Sequence, residues 1–154
     1  MQHLFTPKKI GDVEIENRFV HSATYEAVSK ETGEVSDELL KRYERIAGGG
    51  VGLIIPGHMF VSPEGRAHKH QTGIHSDNLI PGLKKLTAVV HGEKKKIVFQ
   101  LNHAGQQTTR DMIGRSALGP SSKRRDPLYF VKPKEMTEDE IQETIHGGRN
   151  LLVG

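Results

Sequence analysis

Val51-Gly52-Leu53-Ile54-Ile55 is the stretch that decides the fold of this chain. It is almost wholly apolar, which is typical of a strand buried on both faces of a parallel sheet. An amphipathic pattern over residues 36–47 precedes it, and Ser36 is a suitable N-cap because two acidic residues follow it. Glycines 48–50 then supply the left-handed backbone that helix ends use. The sequence therefore predicts a helix that leads directly into a buried strand.

The same unit recurs on the carboxyl-terminal side of this stretch. Residues 83–90 have apolar side chains on one side of a second helical pattern, and Gly92 is predicted to end this helix. Residues 97–101 are predicted to form another buried strand. Thr137 and Glu140 have the spacing of a capping box, which predicts the start of a third helix. Between these units, residues 56–76 and 102–135 are predicted to be long loops.

On the amino-terminal side, two short alternating segments flank Gly11-Asp12, which predicts a β-hairpin with a two-residue turn. A β-prone segment follows at residues 18–24. The chain thus alternates strand, helix, strand, helix, strand and helix start. Alternation of this kind predicts an α/β fold whose parallel sheet is built from right-handed βαβ units. Periodicity alone does not separate a doubly wound sheet from a barrel.

Composition limits the classes of function. The 154 residues carry a net charge of +3 and contain no cysteine, so disulfides, a thiol nucleophile and cysteine-ligated metal sites are excluded within the sequence. The basic clusters at 94–96 and 123–125 lack interleaved aromatic residues, so we expect solvated surface and no nucleic-acid partner. We also expect no membrane segment, since no apolar run approaches about eighteen residues. The amino terminus has no signal-peptide core, which favours the cytoplasm.

Polar residues emerge where the predicted strands end, at 22–25, 56–59 and 100–105. The loops after the carboxyl ends of parallel strands build the active sites of β/α folds. Gln100 is the best candidate because an amide both donates and accepts, and can therefore pair with the edge of a pyrimidine-like ring. The alternative is a glutamine that only satisfies nearby backbone groups. His103 is either a proton donor or ligand, or a histidine that holds its own loop.

Other site types have little support. His68, His70 and His75 invite a metal hypothesis. The stretch is loop-like, however, and lacks both the ligand spacing of zinc sites and the polar partners that orient zinc ligands, so we expect no metal. The glycines at 48–52 precede a strand, whereas a dinucleotide-binding turn follows one. No Gly-x-Ser-x-Gly elbow is present, which leaves a hydrolase without support.

Several motifs occur in an order that resembles the old yellow enzyme family, the NADH:flavin oxidoreductases. Any one of them is weak, and the ordered set covers the chain to about Thr144. They are Leu4-Phe5-Thr6-Pro7, Glu16-Asn17-Arg18-Phe19-Val20, Gly49-Gly50-Val51-Gly52-Leu53-Ile54-Ile55, Val61-Ser62-Pro63-Glu64-Gly65-Arg66, Gln100-Leu101-Asn102-His103-Ala104-Gly105, Ala117-Leu118-Gly119-Pro120-Ser121-Ser122 and Pro133-Lys134-Glu135-Met136-Thr137.

The resemblance implies a (β/α)8 TIM barrel preceded by a hairpin lid, here residues 1–17. It also implies non-covalent FMN, NAD(P)H as hydride donor, and an activated alkene as the small-molecule substrate. By position, the cofactor-binding residues are Ala23, Thr24 and Tyr25 along the flavin ring, His58 after the second strand, and Gln100 at the pyrimidine edge. The protein's part in such chemistry is to place and tune the cofactor. Tyr25 is the candidate for tuning the flavin.

The sequence departs from the family in three site positions and in its extent. Tyr25 replaces a usual Thr or Cys, His58 is larger than the usual Gly or Ala, and Gln106 replaces a frequent Arg. The family's substrate-anchoring pair and phosphate-binding loops come after the equivalent of Gly154. Residues 145–154 depart from the family's helix and read as an atypical, truncated end. We therefore expect an incomplete barrel of about three βα units, marginally stable alone because its sheet edges are open.

Two functional hypotheses remain open on the sequence. In the first, the chain is the N-terminal fragment of an FMN-dependent oxidoreductase, paired with itself as a homo-oligomer or with a complementary C-terminal fragment. In the second, it is a non-catalytic remnant or split-barrel subunit that acts as an interaction module. A small flavodoxin-like domain would need phosphate loops that the sequence does not display.

Overall fold

A computed structural model describes residues 2–122 and 125–150 of the chain. Two members of the second basic cluster, Lys123 and Arg124, and residues 151–154 of the atypical end lie outside the described residues. The helices are α1 (Asp37–Gly48), α2 (Ile80–Gly92), α3 (Arg110–Ile113) and α4 (Glu138–Asn150). The strands are β1 (Lys8–Ile10), β2 (Val13–Ile15), β3 (Val20–His21), β4 (Leu53–Ile54), β5 (Met59–Phe60), β6 (Lys96–Ile97), β7 (Leu101–Asn102), β8 (Leu118–Gly119) and β9 (Lys134–Glu135).

Three of these strands form the parallel sheet predicted from the alternating pattern. The order is β3-β4-β6, and both pairs are parallel, with Leu53 opposite Val20 on one side and Lys96 on the other. Helices α1 and α2 connect consecutive strands of this sheet, so the chain makes two successive βαβ crossovers. The predicted parallel α/β arrangement is confirmed.

The hydrophobic core lies between this sheet and its two helices. Ser36 caps α1, since its hydroxyl accepts from the backbone N–H of Leu39 at 3.1 Å, and the chain leaves the helix through Gly50 in the left-handed region. Burying apolar side chains from both helices against one face of the sheet is the main source of stability here. The buried members of the cluster are Leu39, Tyr43, Ala47, Ile54, Met59, Leu79, Leu83, Leu86 and Val90.

The opposite face of the sheet is open over its two outer strands. Side chains alternate along a strand, so the row next to His21, Ile54 and Ile97 points away from the helices. On that face Val20 is 44% exposed and Val98 is 53% exposed, whereas Leu53 on the central strand is 7% exposed. Apolar side chains at the centre of a parallel sheet are normally covered on both sides. No described residue supplies a second layer over these two valines.

The amino-terminal hairpin lies at the starting end of the sheet. Strands β1 and β2 pair antiparallel about a turn whose first residue, Gly11, has φ +56°, as the predicted two-residue turn requires. Beyond the hairpin, Asn17 donates to the carbonyl of Gly50 at 2.7 Å, and Glu16 pairs with Lys95. Both partners stand shortly before strands β4 and β6, so the hairpin end is fixed to the amino-terminal edge of the sheet.

The predicted strand over residues 97–101 is divided into β6 and β7. Val98 still donates to the carbonyl of Ile54 at 3.0 Å. The next hydrogen bond between residues 97–101 and the segment after β4 is made by Met59, which donates to the carbonyl of Gln100 at 2.8 Å. Pro56 lies between, and proline has no N–H to continue a ladder. Pairing therefore stops and resumes as the small β5–β7 sheet, in which β5 lies inside a predicted long loop.

The other predicted long loop also contains regular structure, namely α3 and the parallel pair β8–β9. Beyond it, the predicted capping box of α4 is confirmed. The Thr137 N–H donates to the Glu140 carboxylate at 2.9 Å, and the Glu140 N–H donates to the Thr137 hydroxyl at 3.2 Å. The helix continues to Asn150, so the Gly147-Gly148 pair does not end it. None of the helices in the described ranges is long and apolar enough to cross a membrane.

Candidate cofactor site at the carboxyl ends of the strands

The carboxyl ends of the three parallel strands lie side by side. Ile55 donates to the carbonyl of His21 at 2.9 Å, and Val98 donates to Ile54 at 3.0 Å. The bond from Met59 to the Gln100 carbonyl then joins the ends of the second and third strands. The segments that the sequence singled out are therefore neighbours at one edge of the sheet, as parallel pairing requires.

Three aromatic rings meet at this edge. The ring centroids of Tyr25 and His58 are 6.3 Å apart, and Tyr25 stacks on His68 at 4.4 Å with an interplanar angle of 26°. His58 and His68 meet edge to face at 5.9 Å. We call these three residues the ring cluster. All three are partly exposed, so the cluster offers aromatic surface to a ligand at the strand ends.

Glu26 ties the first two strand ends to helix α1. Its Oε1 accepts from the backbone N–H of Gly57 at 2.7 Å and from the hydroxyl of Tyr43. Tyr43 is fully buried, and burial together with the adjacent carboxylate raises the pKa of its hydroxyl, which therefore stays a donor. A Cβ on Gly57 would lie 2.7 Å from the Thr24 carbonyl, so only glycine allows this approach.

Gln71 holds His58 from the other side. The Gln71 side chain is 1% exposed, and its Nε2 lies 2.7 Å from His58 Nδ1 and 3.1 Å from the His58 carbonyl. Its Oε1 accepts from the N–H groups of Ala67 and His68, at 2.8 and 3.4 Å. Burial lowers the pKa of His58, the nearby His68 lowers it further, and Glu26 acts in the opposite direction.

The Gln100 side chain is exposed and makes no hydrogen bond to any residue in the ranges 2–122 and 125–150. The alternative in which this glutamine satisfies nearby backbone groups therefore finds no support. Thr24 is also exposed, and its hydroxyl donates weakly to the Ser22 carbonyl at 3.3 Å. Ala23, the residue between Ser22 and Thr24, is half-buried. Each residue proposed from the family resemblance thus lies at this edge of the sheet.

A cavity of about 200 Å³ lies beside the ring cluster. Its lining includes His58, His68, Asn102, His103, Gln107 and Tyr129. His103 Nδ1 accepts from the N–H of Gly105 at 3.1 Å, which is the loop-holding role considered for this histidine. Its ring packs so closely on Gly65 that a Cβ there would lie 2.5 Å away, and burial lowers its pKa.

The histidines of the suggested metal motif have separate partners. His68 stacks on Tyr25, His70 Nδ1 lies 3.0 Å from the Ser29 carbonyl, and His75 stacks on Phe60 at 4.8 Å. Among the residues that the structure describes, no three His, Asp or Glu side chains are grouped as a metal site would need.

Three contributors to the site were not found from the sequence, namely Glu26, His68 as a ring partner, and Gln71. Glu26 immediately follows the first predicted strand end, so its position was a usable signal. Gln71 lies in a long loop with no periodic pattern, and its role depends on how that loop folds back onto His58.

Comparison with known proteins identifies the family. Residues 3–147 match the model of the NADH:flavin oxidoreductase / NADH oxidase family. The chain is 34% identical over 145 residues to a metal reductase of Desulforamulus reducens, covering 94% of this chain and 21% of the relative. It is 37% identical over 150 residues to an NADPH dehydrogenase of Geobacillus sp., covering 96% of this chain and 42% of the relative.

Solved structures agree on the fold. A 2-naphthoyl-CoA reductase complex superimposes with a TM-score of 0.89 at 25% identity, over 95% of this chain and 24% of that chain. An old yellow enzyme from Pichia sp. superimposes with a TM-score of 0.87 at 24% identity, over 97% of this chain and 41% of that chain. The chain therefore corresponds to the N-terminal portion of their TIM barrel, which confirms the predicted fold class.

The chain spans between about a fifth and about two fifths of the length of these relatives. Within that span the match runs from the hairpin through most of α4. The chain belongs to the NADH:flavin oxidoreductase / NADH oxidase family.

Proposed function

We propose that this chain forms the flavin-ring side of an FMN-dependent NAD(P)H oxidoreductase of the old yellow enzyme type. The observation that carries the proposal is the free, exposed amide of Gln100 at the carboxyl edge of the sheet, where its backbone carbonyl accepts from Met59, the residue after His58 of the ring cluster. A flat heteroaromatic ring offers what both features need, since its edge alternates donors and acceptors and its faces are aromatic.

The residues present fit the isoalloxazine ring of FMN. In this proposal Gln100 pairs with the pyrimidine edge, and the backbone of Ala23, Thr24 and Tyr25 lies along the ring. His58 contacts the ring from the second strand end. FMN, when bound, would supply hydride transfer from NAD(P)H to the substrate. The chain's own residues bind and orient the ring, with Glu26 fixing two of the strand ends that carry these groups.

For the substrate we propose an electron-poor alkene, such as an enone or enoyl thioester. A solved relative was captured with 2-naphthoyl-CoA, a thioester conjugated to an unsaturated ring, which supports this class. Other relatives are named for NADH oxidation and for metal reduction. FMN, if bound in each of them, would supply the same electron-transfer chemistry, and the protein groups around the ring would set the acceptor, which would account for that range.

We further propose that the open face of the sheet is covered by a complementary C-terminal fragment or by a second copy of the chain. Val20 and Val98 are apolar and about half exposed on that face, which supports a partner. The same face supports the second candidate function, a non-catalytic interaction module. Reduction of bound flavin by NAD(P)H distinguishes the two candidate functions, because an oxidoreductase requires this reduction and an interaction module does not. A cytoplasmic location is part of the proposal.

Titration of FMN into the 154-residue chain, followed by quenching of flavin fluorescence, tests the ring contact. Gln100→Ala should weaken FMN binding by about five- to thirtyfold, since one or two hydrogen bonds are lost. Gln142→Ala is the matched control, because Gln142 is exposed on α4 and its side chain bonds only to Glu138. Equal FMN affinity in the wild type and the Gln100 variant would show that the amide does not contact the flavin.

A further inference from the structure

The orientation of the buried Gln71 amide is fixed by its surroundings. Its Oε1 faces the N–H groups of Ala67 and His68, which only donate, so this atom has to be the acceptor. The NH2 group therefore points to His58, where its two hydrogens meet two acceptors, the carbonyl oxygen at 3.1 Å and Nδ1 at 2.7 Å. Every polar atom of the Gln71 side chain is thus satisfied in this one orientation.

This geometry determines which nitrogen of His58 carries the proton. A nitrogen that accepts from an NH2 group has a free lone pair, so Nδ1 is unprotonated and the proton resides on Nε2. Protonation of Nδ1 would place an N–H against the Gln71 N–H and cost the bond between them. We propose that Gln71 is a positioning residue that locks His58 in the neutral Nε2–H form, and that this N–H is a hydrogen-bond donor to bound flavin.

The groups around His58 favour that neutral form. His68 and Tyr25 are in ring contact with it, and burial of the imidazole lowers its pKa. Glu26 acts in the opposite direction, but its Oε1 already accepts from Tyr43 and Gly57. A positive charge on His58 would therefore lack a dedicated partner and would lie beside a second histidine.

The donor is also available to a ligand. In the described part of the chain, His58 Nε2 makes no hydrogen bond and is not among the enclosed polar atoms that lack one. His58 lines the cavity beside the ring cluster, so a bound ring can reach it. The inference rests on the proposed function for the identity of the ligand, whereas the lock by Gln71 stands on the contacts of the chain alone.

Nitrogen-15 NMR of histidine-labelled protein near pH 7.5 tests the lock without any ligand. The His58 signals, assigned by their loss in His58→Asn, should show a pyridine-type Nδ1 and a pyrrole-type Nε2. In Gln71→Glu a carboxylate oxygen replaces the NH2 group, so Nδ1 should become protonated. Gln107→Glu adds the same charge at the same cavity without touching Nδ1, and should leave the wild-type pattern. A wild-type His58 protonated on Nδ1 overturns the lock, whether or not either variant folds.

Titration of FMN tests the donor role. Glutamine places its NH2 near the position of a histidine Nε2, and asparagine places its own near Nδ1. We therefore expect His58→Gln to bind FMN within about twofold of wild type, and His58→Asn to bind about fivefold more weakly, as loss of one hydrogen bond implies. The reverse order, or equal affinities, overturns the donor role. A wild-type chain that binds no FMN overturns the proposed function and the donor role together, while the NMR result reports on the lock independently.

Discussion

At the scale of single residues, Glu26 is the group on which the site geometry depends most. One carboxylate joins the loop after β3, the loop after β4 and helix α1, through Gly57 and Tyr43. Tyr25 precedes Glu26 in the chain and His58 follows its partner Gly57, and both belong to the ring cluster. A shift of Glu26 would therefore move two residues of the ring cluster at once.

Tyr43→Phe tests how much this connection stabilises the chain. The substitution keeps the buried ring and removes only the hydroxyl that donates to the Glu26 carboxylate. A hydrogen bond to a charged group contributes about 1.5–3 kcal/mol, so we expect the free energy of unfolding in urea to fall by that amount. Tyr129→Phe is the control, because Tyr129 is partly exposed and its hydroxyl has no bond within the described ranges. Similar losses in the two variants would mean that the Glu26 contact contributes little.

Gly57→Ala tests the close approach of the strand ends. The added methyl group would press on the Glu26 carboxylate and lie 2.7 Å from the Thr24 carbonyl, so the chain must shift where the ring cluster is anchored. We expect a loss of about 1–3 kcal/mol in stability, as for other overpacked sites, together with weaker FMN binding. Gly92→Ala is the control. Nothing lies within 4 Å of its added Cβ, at the end of α2, so stability should hold or rise. Unchanged FMN affinity in the Gly57 variant would contradict this account of the site.

At the scale of elements, the sequence predicted α1, α2, the start of α4, the hairpin and the parallel order of the strands. These elements have local causes, such as the Ser36 cap, the Gly11 turn and the Thr137–Glu140 box. The division of the third strand into β6 and β7 was missed. Its cause is Pro56 on the neighbouring strand, and a pattern read along residues 97–101 alone contains no information about it.

The first turn of helix α4 contains a carboxylate, Glu140, whose ion pair and hydrogen bonds can be tested by titration. The ion pair with Lys134, the N–H of Thr137 and the nearby Arg115 lower the pKa of Glu140 to about 2. Because the pKa of Glu140 is lowered in the folded state, the stability that its ionised side chain contributes is fully present above the ordinary value near pH 4.5. It is lost as the pH falls through about 2. Carbon-13 NMR of the side-chain carboxyl should therefore give a midpoint for Glu140 well below that of an ordinary glutamate.

The matched control for this prediction is on the same helix. Glu140→Gln should increase amide hydrogen exchange in the first turn of α4 near neutral pH. Glu143→Gln should not, because Glu143 is exposed and unpaired among the described residues. A Glu140 midpoint near 4.5 would show that the ion pair and the capping contacts are not formed in solution.

At the scale of the whole molecule, fold and site could be predicted to different extents. Strand order places Tyr25, His58 and Gln100 at one edge of the sheet, because parallel strands end together, and the structure brings their segments into contact. The supporting groups Gln71 and Glu26 depend on loops folding back onto that edge. Such contacts leave no periodic trace in a sequence, which is why they became visible only in three dimensions.

Three half-buried loop histidines predict how the stability of the whole chain depends on pH. Burial lowers the pKa of His58, His75 and His103 in the folded state. The unfolded chain then binds more protons than the folded chain just below the ordinary histidine value near 6.5, so stability rises with pH in that range. Urea unfolding should therefore show a lower free energy of unfolding near pH 5.5 than near pH 7.5.

His103→Asn should flatten that dependence. The asparagine oxygen can still accept from the Gly105 N–H, so the loop contact is kept while the titrating group is removed. Glu64 raises the pKa of His103, but burial has the larger effect and sets the direction. His91→Asn is the control, since His91 is exposed on α2. If the two variants keep the same difference in stability between the two pH values as the wild type, the acid sensitivity of the chain does not come from His103, and the loop that carries it is more open to water than the structure implies.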